Sequence, residues 1–159
     1  MESIMKASTN LAVNSQVKII ALWAVFLFGT IFHTQLALMP LLYGENVAIP
    51  SYQGIGTPVS HLWLMLGFFV LPMIAIAATL FYTSRRYRAI HFGLTVVYTV
   101  MNFLHVVLDL MVKPIEWYQI ALMVVVFIIG LLLNIVAFQW LRESFYGKKR
   151  RERLISSHP

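Results

Sequence analysis

Cysteine is absent from this sequence. Its absence excludes disulfide bonds, thiolate metal ligands, a catalytic thiol and a lipid-anchored cysteine. Charged residues are also scarce, at 11% of the 159 residues, against about a quarter in an ordinary soluble domain. Hydrophobic residues make up 60%, and a soluble chain of this length has too little interior to bury so much apolar surface. The composition therefore predicts an integral membrane protein.

Motifs that would point to a particular enzyme class are missing as well. The sequence contains no phosphate-binding loop, no dinucleotide-binding fingerprint, no serine nucleophile motif and no internal repeat. Whether the protein is an enzyme is therefore left open by its motifs.

Four long apolar segments are present, at 17–43, 61–83, 89–112 and 118–140. About 20 helical residues cross the hydrocarbon core of a bilayer, and only helices satisfy all backbone polar groups there. The sequence thus predicts an all-α polytopic membrane protein, with four transmembrane helices in an up-down bundle. Residues 1–16 would form an N-terminal segment, 44–60 a loop, and 142–159 a basic tail.

The distribution of positive charge predicts the orientation of this membrane domain (17–141). Of the 12 lysines and arginines, all except Lys113 fall on one side of a four-pass topology. Because basic residues concentrate on the cytoplasmic side, we expect both termini in the cytoplasm and the loop 44–60 outside. The aromatic residues Trp23 and Trp140 would then mark the inner interface. The first segment is too long for a signal-peptide core, so we interpret it as an uncleaved signal anchor.

The partners expected from this topology are lipids. The basic tail should lie against anionic headgroups, and we expect no nucleic acid, since its charges sit next to a membrane. A membrane-protein partner or a homo-oligomer is compatible with the sequence. The absence of a glycosylation sequon and of a eukaryotic retention signal favours a bacterial inner membrane.

The third apolar segment carries a polar seam. Its members recur at spacings of three and four residues, which places them on one helical face; they are His91, Thr95, Tyr98, Asn102, His105 and Asp109. A polar face in a membrane helix turns away from lipid. The seam could serve as hydrogen bonding between helices, or its ionisable members could have a function.

Several ionisable residues should converge at the outer end of the bundle. With a rise of about 1.5 Å per residue, His33 and His105 lie at similar depth, Asp109 is one turn higher, and His61 opens the second segment from the same side. Imidazole and carboxylate are ligands for Zn, Cu or Fe. The sequence therefore predicts a metal site formed by these four residues, whereas His91 lies at the opposite end.

Haem b is an alternative cofactor, and a site without any cofactor is a third interpretation. His33 and His105 would be axial ligands across the diagonal of the bundle, with Gly29 leaving room for the porphyrin. Without a cofactor, Asp109 would hold His105 by a hydrogen bond. The functions that follow are a redox or metal-binding protein, an accessory or scaffold subunit of a membrane complex, or a protein that transfers protons or small solutes along the seam.

Overall fold

The computed structural model describes residues 14–47, 58–111 and 115–156; for residues 58, 61 and 144–156 it describes the backbone alone. In this part of the chain the fold is a bundle of four long helices, which confirms the predicted class. They are α1 (Ser15–Leu38), α2 (Pro58–Phe81), α3 (Arg85–Met111) and α4 (Trp117–Ser156). All four are long and apolar enough to cross a membrane.

Local sequence explains where α1 begins and ends. The Asn14 side chain accepts a hydrogen bond from the Gln16 amide and caps the helix. After Leu38 the chain continues as a short 3₁₀ helix, Met39–Tyr43, with Pro40 in its first turn. It ends at Gly44, whose φ of 79° is a left-handed conformation that glycine adopts without strain.

The helix α4 is longer than the apolar segment that predicted it. It continues without interruption from Trp117 to Ser156, so the basic segment expected as a tail is helical for most of its length. At about 1.5 Å per residue this helix is roughly 60 Å long, about twice the hydrocarbon thickness of a bilayer. Its C-terminal part therefore extends beyond the bundle.

Two glycines bring α4 close to its neighbours. A Cβ atom on Gly29 of α1 would lie 2.6 Å from Cγ2 of Val126, and one on Gly130 would lie 3.0 Å from Oγ1 of Thr99 on α3. Small residues allow such close approach of membrane helices. Gly67 and Gly93 have no such neighbour. Gly29 therefore makes room for α4, and its expected role of making room for a porphyrin was wrong.

The helices α2 and α3 are antiparallel neighbours, joined by a short turn, but they meet mainly through large side chains. The ring centroids of Phe68 and Tyr98 lie 4.8 Å apart, and the Tyr87 hydroxyl donates to the Ala75 carbonyl oxygen at 2.7 Å. Bulky aromatic residues at these positions keep the two backbones apart. Part of the space between them forms a cavity that Phe68 lines.

Aromatic residues form the centre of the core. Trp23 makes edge-on contacts with Phe26 and Tyr98, at centroid distances of 5.7 and 5.3 Å. The expectation that Trp23 and Trp140 mark the membrane interface was wrong, because they are 0% and 1% exposed. The Trp23 indole N–H donates to His91 of another helix at 3.1 Å. Its polar atom thus has a partner inside the bundle and needs no headgroup.

Candidate metal centre

The polar seam of α3 faces the interior over most of its length. His91, Thr95, Tyr98 and Asn102 are all buried, with exposed fractions between 0% and 4%. Thr99 also belongs to the seam. It lies four residues after Thr95, so the helical spacing in the sequence could have predicted it. Thr99 accepts a hydrogen bond from the Asn134 amide of α4 at 3.0 Å.

Tyr98 satisfies a backbone carbonyl that a proline has left free. In a helix the Phe68 carbonyl oxygen would accept from the amide of the residue four positions later, which is Pro72 and has no N–H. The Tyr98 hydroxyl donates to this oxygen at 2.7 Å, while α2 continues through Pro72 as a helix. A free carbonyl in the hydrocarbon region is costly. Tyr98 therefore has a structural explanation.

His91 is held in a complete hydrogen-bond network at the end of the bundle near the α2–α3 turn. The Trp23 N–H donates to Nε2, so this nitrogen is the acceptor. The Tyr87 and Thr79 hydroxyls lie 3.3 and 3.4 Å from Nδ1, and both donate to the Ala75 carbonyl oxygen at 2.7 Å. Their remaining lone pairs face an Nδ1–H, which assigns the neutral Nδ1–H tautomer to His91. This histidine is part of the core packing.

At the other end, α1 and α3 bring three ligand-type side chains together. The Nε2 atoms of His33 and His105 are 3.3 Å apart. The Asp109 carboxylate lies beside both, with Oδ2 3.6 Å from His33 Nε2 and Oδ1 3.6 Å from His105 Nε2. When each residue offers one ligand atom, the three atoms lie within 4.8 Å of one another. Among the described residues, these three form a group that could hold a metal ion.

Two atoms of this group have no hydrogen-bond partner among the described residues. Within the described part of the chain, His33 Nδ1 and Asp109 Oδ2 are buried and unpartnered. The 3.6 Å separations are too long for good hydrogen bonds to the carboxylate. The His33 side chain is 10% exposed, whereas the His105 side chain is 49% exposed. The group thus combines a buried imidazole, an accessible imidazole and a half-buried carboxylate.

The 3.3 Å separation of the two imidazole nitrogens fits a shared ion better than haem. Two ligand atoms on a tetrahedral ion with bonds of about 2.0–2.2 Å lie roughly 3.3–3.6 Å apart. Two axial imidazoles of a haem lie on opposite sides of the iron, with nitrogens about 4 Å apart and the porphyrin between them. Here the imidazole planes are tilted by 81° at a centroid distance of 5.2 Å, and a carboxylate occupies the space beside both nitrogens.

A cavity of about 350 Å³ adjoins the two histidines. Its polar wall residues are His33, His105, Asn102, Thr30 and Thr34. The remaining walls are apolar and come from α2, α3 and α4: Leu64, Met65, Phe68, Phe69, Met101 and Met123. The cavity lies where the large side chains keep α2 and α3 apart. No motif in the sequence indicates it, because its walls come from all four helices.

The other predicted ligand, His61, stays a prediction. Its backbone belongs to the first turns of α2, but its side chain lies outside the described residues. The seam residue His91 does not join the metal group, in agreement with its expected place at the opposite end.

Comparisons with known proteins give no relative for this chain. No protein-family model matches it, and no curated protein and no solved structure matches it.

Proposed function

We propose that this protein is an integral membrane protein that binds a transition-metal ion through His33, His105 and Asp109, near the outer face of its bundle. One observation carries the proposal: two imidazole nitrogens from different helices lie 3.3 Å apart with a carboxylate beside both. Ionisable groups inside a membrane helix bundle are costly and commonly functional.

The donor set indicates the kind of ion. Two imidazoles and one carboxylate suit Zn²⁺, and also Fe or Cu ions. Three protein ligands leave a fourth tetrahedral position open for water or a substrate, as in catalytic zinc sites. With Fe or Cu bound to the three protein ligands, the site would support redox chemistry. With Zn²⁺ bound there, the ion would polarise a ligand in the open position.

Proton transfer along the whole seam is less well supported by the hydrogen bonds. The Thr95 hydroxyl donates to the Phe92 carbonyl oxygen of its own helix at 2.8 Å. The Trp23 N–H donates to His91 Nε2 and has no lone pair with which to accept a proton in return. A proton path that ends at His91 would have to break the Thr95–Phe92 and the Trp23–His91 hydrogen bonds.

Metal analysis of the purified protein tests the proposal. The protein should be prepared without a polyhistidine tag, in lipid nanodiscs, and its metal content measured by mass spectrometry after removal of weakly bound ions. We expect about one ion per chain in the wild type. The variants His105→Ala and Asp109→Asn should lose most of it, since each removes one of three protein ligands.

A matched control separates the site from adventitious binding to histidine. His158→Ala changes a histidine near the C-terminal end of the sequence and should retain the wild-type metal content. Because the His105 side chain is 49% exposed, its replacement should leave the helical circular-dichroism signal unchanged. Equal metal content in all four proteins, or none in the wild type, would contradict the proposal and favour an accessory or scaffold role. A haem absorption band in the purified protein would show that the cofactor is haem and not a single ion.

A further inference from the structure

We propose that the cavity beside the metal group binds a membrane-soluble molecule with an apolar body and one donor group that ligates the metal. This inference rests on the proposed metal site and names the class of ligand that its open position takes. The ligand would be a lipophilic molecule that reaches the site from the bilayer.

The composition of the cavity wall supports an apolar body. Six of its residues are aliphatic, aromatic or thioether side chains, and the wall includes no acidic or basic residue other than the two histidines. The Thr30 and Thr34 hydroxyls donate to carbonyl oxygens of their own helix, those of Phe26 and Thr30. Apolar walls with a few placed polar groups are typical of small-molecule sites.

Besides His33 Nδ1, one further polar atom of the wall residues lacks a hydrogen-bond partner in the described chain. Asn102 is 4% exposed, and its Oδ1 atom is buried without a hydrogen-bond partner. Burying an amide oxygen without a donor is unfavourable. Asn102 lies one turn from His105 on the same face of α3, so a hydrogen-bond donor on a ligand at the metal would have an acceptor within one helical turn.

The size and position of the cavity define the ligand further. A cavity of about 150 Å³ takes a benzene molecule, so the 350 Å³ here corresponds to roughly a dozen non-hydrogen atoms. Two of its wall residues, Met65 and Met101, are 38% and 46% exposed although both belong to helices that are apolar enough to span a membrane. These two wall residues therefore also lie on the surface that lipid would cover, and this is the side from which the proposed ligand would enter.

Alkylimidazoles and cobalt provide the test. Co²⁺ replaces the unidentified ion, because its visible bands report tetrahedral geometry and a change in the fourth ligand. The protein is loaded with Co²⁺ in nanodiscs and titrated with 1-methylimidazole and with 1-hexylimidazole, which has 11 non-hydrogen atoms, about the number the cavity accommodates. Both probes offer the same donor nitrogen, and only the second has a chain that fills the cavity.

Two neighbouring substitutions form a matched pair. Met65→Trp adds side-chain volume to the cavity wall. Leu66→Trp adds the same side chain at the next residue in the sequence, which is 52% exposed and is not part of the wall. We expect 1-hexylimidazole to bind at least about tenfold more weakly to Met65→Trp than to Leu66→Trp, since overpacking a site costs the equivalent of roughly a factor of ten or more. The affinity for 1-methylimidazole should be the same in both. Lipid partitioning of the probe cancels in this comparison.

The outcomes separate this inference from the metal proposal. If Co²⁺ binds and both variants bind both probes equally, the metal proposal stands and the lipophilic ligand is refuted. If Co²⁺ does not bind at all, both fail. A third variant, Phe69→Ala, enlarges the cavity and should shift the preferred chain to a longer one; an unchanged preference would also count against the inference.

Discussion

The hydroxyl of Tyr98 should stabilise the protein because of Pro72, and the two effects can be separated by a double-mutant cycle. The Tyr98 hydroxyl donates at 2.7 Å to the Phe68 carbonyl oxygen, which lacks a helical partner since residue 72 is a proline. Tyr98→Phe keeps the ring contacts and removes the hydrogen bond alone. Pro72→Ala restores a backbone N–H that can donate to the same carbonyl.

The size of the effect follows from burial. Tyr98 is 3% exposed, so Tyr98→Phe leaves the carbonyl without a donor in an apolar interior. Hydrogen bonds between membrane helices contribute about 0.6 kcal/mol on average and up to about 1.7 kcal/mol, and an unsatisfied buried group costs about 1–3 kcal/mol. We expect Tyr98→Phe to lower the free energy of unfolding by about 1–2 kcal/mol. In the Pro72→Ala background the same change should cost less than about 0.5 kcal/mol, because the carbonyl keeps one donor.

Reversible unfolding in mixed micelles, with increasing sodium dodecyl sulfate, measures these differences through tryptophan fluorescence. Tyr118→Phe is the control, since it removes a hydroxyl from a side chain that is 46% exposed and should change stability little. The cycle cancels the packing change that Pro72→Ala introduces by itself. Additive effects of Tyr98→Phe and Pro72→Ala would refute the assignment of Tyr98 to the proline-freed carbonyl.

Two further predictions follow from the packing and from the absence of cysteine. Gly29→Ala should lower the free energy of unfolding by about 1–3 kcal/mol, because its Cβ would lie 2.6 Å from a buried valine. Gly67→Ala, whose Cβ would have nothing within 4 Å, should be neutral or stabilising in the same assay. Equal effects of the two substitutions would contradict the close α1–α4 contact. Single cysteines at Glu45 and Thr83, both exposed, should react with an impermeant maleimide in intact cells at Glu45 and only after lysis at Thr83; the opposite pattern would invert the topology inferred from positive charge.

The fold could be predicted from the sequence because its signals are long and redundant. Four apolar segments separated by polar turns leave few alternatives in a bilayer. The interior face of α3 was also visible, since His91, Thr95, Tyr98 and Asn102 recur at helical spacing and all are buried. The convergence of His33, His105 and Asp109 followed from depth along the helices. It needed only the rise per residue and the direction of each helix.

What the sequence could not give depends on contacts between helices. The role of Tyr98 requires the knowledge that it faces Phe68, four residues before Pro72, which no spacing within α3 reveals. Trp23 was misassigned to the membrane interface because tryptophan is common there, and its actual partner is a histidine 68 positions away. The apolar cavity could not be predicted from the sequence either, because its walls come from contacts between different helices.

The two ends of the bundle differ in how completely their polar atoms are satisfied, and this difference supports the location of the site. Around His91 both ring nitrogens have partners, and three aromatic rings surround it. At the other end, His33, Asn102 and Asp109 supply three of the four buried unpartnered side-chain atoms in the described chain. A membrane protein gains nothing in stability from leaving such atoms unpaired, and local departures from complete packing are expected at functional sites. A bound ion would give Asp109 Oδ2 a partner, and a hydrogen-bond donor on its ligand would give one to Asn102 Oδ1, whereas a purely structural role for this end supplies neither.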